Sequence, residues 1–210
     1  MKKILCFGDS NTWGHDPVDC SQLQRPWPVV LRELLPEYEI VSDGRCGRAT
    51  KFDVPNMPDT NGIEKFRERY LTEDNHFDLI IIMLGTNDLL NHFDCSPEET
   101  AETLSAYVRE CRERFKDQTP RILLMSPIEV KEDVTRNPIF KDQYDISAVD
   151  KSKRFKEAIS AVAMREGTFF LAAADFAEAS VIDGVHMEPE EHKKLAAAVA
   201  DKIRTIFGSR

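Results

Sequence analysis

Positive charge is in short supply in this chain. Its 210 residues include 28 Lys and Arg against 37 Asp and Glu, a net charge of −9, and such an acidic chain is a poor electrostatic partner for nucleic acid or anionic membrane. Neither is expected as a partner. Long apolar runs are also missing: Met1-Lys2-Lys3-Ile4-Leu5 passes to charged Asp9 within a few residues, too short a stretch for a signal peptide or a transmembrane helix. A cytoplasmic location is the expectation. The five cysteines (Cys6, Cys20, Cys46, Cys95, Cys111) are odd in number and have no CxxC spacing, which argues against a disulfide framework and a structural zinc site. They read as free thiols. His15, His76, His92 and His192 show no HExxH spacing and read as surface or helix residues, so no metal and no cofactor is expected. Repeats, low-complexity tracts and linkers are absent as well, leaving one domain over residues 1–210, long enough to bury a full sheet-and-helix core.

What is present is an alternation of short apolar runs with longer amphipathic ones, the pattern of a parallel sheet covered by helices. Strands are expected at Lys3 to Phe7, Tyr38 to Ser42, Leu79 to Leu84, Ile122 to Met125 and Thr168 to Leu171. The third has no polar alternation, as suits a central strand buried on both faces. Five such strands predict an α/β fold, a three-layer α/β/α sandwich. Ser96-Pro97-Glu98-Glu99 combines a Ser cap, Pro at the first helical position and Glu at the third, and opens a helix with Leu104, Tyr107, Val108, Cys111 and Phe115 on one face. A last helix should begin near Glu188-Pro189 and carry Leu195, Val199, Ile203 and Phe207; others are expected at Trp27 to Leu35, Ile63 to Tyr70 and Val149 to Arg165. The stretch 127–146, with Pro138, Phe140 and Tyr144, is long for a routine connection and reads as a lid or an oligomer contact.

Chemistry-bearing residues gather at the carboxyl ends of these strands, where open α/β sheets place their sites. Gly8-Asp9-Ser10-Asn11 follows the first strand, Gly44-Arg45-Cys46-Gly47-Arg48 the second, Gly85-Thr86-Asn87-Asp88 the third, and Asp183-Gly184-Val185-His186 lies beyond the fifth. Serine chemistry on an ester needs a base for the hydroxyl proton, an orienter for that base and donors for the developing oxyanion. Ser10 is the candidate nucleophile and His186 the candidate base. Asp183, three residues earlier, can accept from Nδ1 and fix the tautomer. The Ser10 N–H, a backbone N–H of the second segment and the Asn87 amide are candidate oxyanion donors. Asp9 and Asp88 are not needed by this chemistry and read as structural, bonding nearby backbone N–H groups.

The four segments resemble the SGNH hydrolases, also called the GDSL esterase and lipase family: GDSN matches the first block, the Gly47 segment the second, GTND the third and DGVH the fifth. The match is in order and spans residues 8 to 186. KILCFGDSNTWG and LIIIMLGTND look like the arylesterase and acyltransferase branch. The resemblance implies a flavodoxin-like SGNH fold and a serine esterase acting on small esters, of short acyl chain or aryl type, with acyl transfer to alcohols as a further activity. It implies Ser10, Asp183 and His186 as the triad and Ser10, Gly47 and Asn87 as the oxyanion hole, with Gly44 left as a turn glycine. Homo-oligomers are common in that branch, so a homo-oligomer is one expectation. The chain departs from the family at Asn11, where Leu is usual, and a polar residue there should alter packing beside the nucleophile and substrate preference. Trp13 is read as a wall of the acyl pocket or as core. The GxSxG elbow of α/β-hydrolases is absent, since Thr12 stands at its second glycine. The alternatives are a carbohydrate acetyl esterase with the same triad, a Mg²⁺ phosphohydrolase using Asp9, Asp88 and Asp183, and a non-catalytic flavodoxin-like module.

Overall fold

The computed structural model of the protein describes residues 1–72, 75–93 and 95–208. Five strands, β1 (Lys2–Gly8), β2 (Tyr38–Gly44), β3 (Leu79–Met83), β4 (Arg121–Ser126) and β5 (Phe169–Ala172), pair in parallel in the order β2-β1-β3-β4-β5. Among the described residues six α-helices accompany them: α1 (Ser10–Trp13), α2 (Trp27–Leu34), α3 (Gly62–Tyr70), α4 (Pro97–Phe115), α5 (Ile146–Arg165) and α6 (Pro189–Phe207).

The two-residue period of the strands divides the core in two. Leu5 and Phe7 of β1, Ile80 and Ile82 of β3, and Ile122 and Leu124 of β4 pack with Phe66 of α3, Leu104 and Tyr107 of α4 and Phe155 of α5. Their neighbours Ile4, Cys6, Ile81 and Leu123 face the other way, against Leu31 of α2 and Leu195, Val199 and Ile203 of α6. All five residues of β3 are buried, which is why that strand shows no polar alternation. The expected three-layer sandwich is therefore the observed one.

Helix ends follow local chemistry. The Ser96 hydroxyl accepts from the Glu99 N–H (3.2 Å) while the Glu99 carboxylate accepts from the Ser96 N–H (2.9 Å), so the capping box forms. Helix α5 begins three residues earlier than its apolar pattern suggests, because Asp145 caps it by accepting from the Ser147 N–H at 2.7 Å. Among the described residues no helix is long and apolar enough to cross a membrane.

Strand order sets the location of the site. From β1 the chain moves outward to β2 and then returns to place β3 on the other side of β1, so the connections diverge at the carboxyl ends of β1 and β3. A crevice opens at such a reversal.

Candidate active site

Ser10 is the first residue of α1, separated from the end of β1 by Asp9 alone. The Asp9 carboxylate caps that helix by accepting from the Asn11 N–H at 2.9 Å. The loop ahead of α6 brings up Asp183 and His186. The Asp183 Oδ1 accepts from the N–H groups of Val185 and His186, both at 2.9 Å, so the carboxylate is fixed by its own loop. Its Oδ2 lies 2.6 Å from His186 Nδ1, and His186 Nε2 lies 2.9 Å from Ser10 Oγ. With Nδ1–H donated to a carboxylate, Nε2 is left with its lone pair toward the Ser10 hydroxyl. All three side chains are buried: Ser10 is 5 % exposed, Asp183 2 % and His186 3 %. Burial alone would raise the Asp183 carboxyl, but the bond and charge of His186 and the two backbone N–H groups hold it below the usual carboxylate range. The carboxylate is thus ionised beside its imidazole.

The other two segments converge on the same place. Gly47 has φ +79°, and a Cβ there would come within 2.8 Å of the Met57 side chain. Glycine is required by conformation and by space. Among the described residues neither the Ser10 nor the Gly47 N–H donates to a protein acceptor, and both residues line one cavity of ≈ 310 Å³ with Asn87 and His186. Asn87 spends part of its amide on the Arg48 carbonyl (3.0 Å). Asp88, the next residue, accepts from the Thr50 N–H (2.9 Å) and hydroxyl. Two consecutive residues after β3 therefore grip the chain on either side of Ala49. Arg48, completely buried, adds bonds to the carbonyls of Gly8 (2.9 Å) and Asp43 (2.7 Å), an ion pair with Asp43 (2.8 Å) and a stack over Phe7. Three strand ends are locked in register.

Asp9 and Asp88 hold backbone N–H groups as expected, and their burial has an electrostatic effect. Burial pushes the Asp9 carboxyl up to about 6, against the bond from the Asn11 N–H, and Asp88 up to about 7, against the two bonds from Thr50. The cluster of Asp9, Asp88 and Asp183 proposed for Mg²⁺ does not form a common site. Among the described residues the only trio of potential ligands within 4.8 Å of one another is His15, Asp183 and His186. In that trio Asp183 is already bonded to His186, and His186 to Ser10.

Several sequence readings need correction. Asn11 does not contact the cavity: its amide donates to the Val185 carbonyl (3.1 Å) and accepts from the Met187 N–H (3.1 Å), strapping α1 to the loop on both sides of His186. Leucine could form neither bond. Trp13 is half-buried and is not part of the cavity wall. Gly44 is the last residue of β2 rather than part of a turn, and a Cβ there would meet the Trp13 backbone at 2.1 Å. Of the histidines read as surface or helix residues, His76 and His92 are exposed and His192 lies on α6, where it is fully buried and accepts from the Trp27 N–H (3.2 Å), joining α6 to α2. His15 lies in the cavity wall, its ring centroid 4.0 Å from that of His186. No spacing rule marks it. Its distance of five residues from Ser10 across Gly14 is the one sequence signal.

The remaining wall is largely apolar: Val54, Met57, Leu90, Phe140, Tyr144 and Val185. Phe140 and Tyr144 come from the 127–146 stretch, which folds back beside His186, with the Phe140 ring 5.6 Å from the imidazole. A larger groove of ≈ 520 Å³, lined by Glu129, Lys131, Asp133, Arg136, Lys153 and Glu178 among others, contains no member of the Ser10 constellation.

Comparison with known proteins gives the family. The profile of the GDSL-like Lipase/Acylhydrolase family matches residues 6–194. The chain belongs to that family. It is an esterase of the SGNH type, a carboxylic ester hydrolase. Among solved structures, Est24, a carbohydrate acetylesterase from Sinorhizobium meliloti, is 30% identical with TM-score 0.89, covering 98% of this chain and 100% of its own. A carbohydrate acetylesterase family member from the same organism is 26% identical with TM-score 0.90, covering 99% and 100%. The inhibitor-bound aryl esterase of M. smegmatis is 28% identical with TM-score 0.89, covering 98% and 99%. No curated protein sequence matches the chain.

Proposed function

We propose that this SGNH esterase hydrolyses small esters, of short acyl chain or with an aryl alcohol, through an acyl-enzyme on Ser10. The observation carrying the proposal is the continuous hydrogen-bonded path from Asp183 to His186 to Ser10, at 2.6 and 2.9 Å. His186 Nε2 takes the hydroxyl proton as Ser10 Oγ attacks the ester carbonyl, and Asp183 stabilises the imidazolium. The N–H groups of Ser10 and Gly47 and the free hydrogen of the Asn87 amide receive the oxyanion. His186 then gives its proton to the departing alcohol, and water repeats the sequence on the acyl-enzyme. An alcohol in place of water would complete an acyl transfer.

The apolar wall and the modest cavity support a short, apolar acyl group or an aryl ring over a long chain. The structural likeness to two S. meliloti carbohydrate acetylesterases supports a second reading, removal of acetyl groups from sugars by the same residues. Rates on p-nitrophenyl esters from acetate to decanoate, beside rates on acetylated sugars, decide between them. The proposal expects a fall in rate beyond short chains, faster turnover of aryl esters than sugar acetates, and complete loss in Ser10→Ala. Retained wild-type hydrolysis by Ser10→Ala would remove it.

A further inference from the structure

His186 is held by its edges and also by its face. Its two nitrogens bond to Asp183 and Ser10, and the His15 ring lies against it at a centroid distance of 4.0 Å and an interplanar angle of 31°. His15 is delivered by the nucleophile's own turn. Its N–H donates to the Ser10 carbonyl (3.0 Å), and it bridges to Gln22, while Leu23 donates to the Gly14 carbonyl (2.7 Å). Ser10 and the ring that covers its base therefore sit on one hydrogen-bonded turn.

The edge contacts are not constant through the reaction. Once Ser10 Oγ is bonded to an acyl carbon it has no proton to donate, and the His186 Nε2 bond to it is lost. The imidazole must then keep its orientation for an incoming water with only the Asp183 bond and its face contacts. We infer that His15 is a positioning residue for deacylation, holding His186 by face contact during the part of the cycle in which Ser10 cannot hold it. In that step the water oxygen bonds to the acyl carbon and its proton passes to Nε2; the carbon–Oγ bond then breaks, Oγ recovers the proton, and the carboxylic acid leaves. Burial, with the neighbouring His186 charge, pushes the His15 pKa down to about 4, so the stacked ring adds no like charge when His186 becomes an imidazolium.

The inference rests on the acyl-enzyme reading, and its test separates the two. With an activated aryl ester, kcat/KM reports acylation and kcat reports deacylation. Loss of the face contact in His15→Ala should lower kcat by about fivefold and leave kcat/KM within about twofold. Acyl-enzyme should accumulate in the steady state, visible by mass spectrometry of the quenched protein. His15→Phe, which keeps a ring at that position, should recover most of the kcat. Labelling of Ser10 by a fluorophosphonate, which needs only the acylation machinery, should persist in both variants. Unchanged kcat in His15→Ala, an equal fall in kcat and kcat/KM, or a His15→Phe variant as slow as His15→Ala would overturn the positioning role. Absence of any acyl or fluorophosphonate adduct on the wild-type Ser10 would instead overturn the acyl-enzyme reading itself.

Discussion

Replacing Asn11 by leucine, the residue its family usually carries there, would do more than change one contact. Asn11 is 2 % exposed, and its amide is the partner of the Val185 carbonyl and the Met187 N–H, the peptide groups flanking His186. Leucine leaves both backbone groups buried and unpaired. Each such group costs about 1–3 kcal/mol, so with some return from the added apolar burial the net loss is about 2–4 kcal/mol. For a chain of this size that lowers Tm by roughly 4–16 °C. The strap also sets where His186 meets Ser10, so kcat should fall about tenfold, the effect of a small misplacement of a base. Thermal denaturation followed by circular dichroism and p-nitrophenyl acetate kinetics measure the two effects. Wild-type Tm and kcat in Asn11→Leu would mean that the strap carries no energy and positions nothing.

Removing the proposed side-chain oxyanion donor with Asn87→Ala should lower kcat by about a hundredfold or more, about 3 kcal/mol of transition-state stabilisation, with little change in KM. Asp88 binds its proton more tightly folded than unfolded, since burial pushes its carboxyl up to about 7. Its contribution to stability is therefore most favourable below the unfolded pKa near 3.8 and is lost as pH rises toward 7. Asp88→Asn, which keeps an acceptor for the Thr50 N–H, should lessen the fall in Tm between pH 4 and 7; an unchanged pH dependence would contradict the burial argument. Burial pushes the Cys46 thiol up to about 11, while Cys20 is exposed, so a thiol reagent at pH 7.5 should modify Cys20 well before Cys46 in a peptide map.

Much of the fold was legible because its signals are local. The unbroken apolar run of β3 reflects burial on both faces, and the Ser96 and Glu99 box declares the start of α4 in four residues. The early start of α5 was missed because its apolar stripe begins only after the Asp145 cap has turned the first residues. The meeting of Ser10, Gly47, Asn87 and the Asp183 and His186 pair was legible because connections leaving the carboxyl ends of neighbouring strands open onto one crevice. The supporting residues were not. A buried arginine such as Arg48 cannot be told from a solvated one by its neighbours in sequence, and its partners Gly8 and Asp43 lie on two strands. The direction of the Asn11 amide depends on a loop about 174 residues away. His15 reaches His186 because Gly14, at φ +92°, turns the chain back after α1; its short spacing from Ser10 shows nearness along the chain but not the direction of that turn.

An acyl group carried on Ser10, as proposed, can be caught there. Wild-type protein mixed with a p-nitrophenyl ester and quenched in acid within the steady state should yield, on peptide mass spectrometry, an acyl adduct on the peptide containing Ser10. Ser10→Ala should yield neither adduct nor turnover. An adduct on a different residue, or turnover by Ser10→Ala without one, would contradict the account.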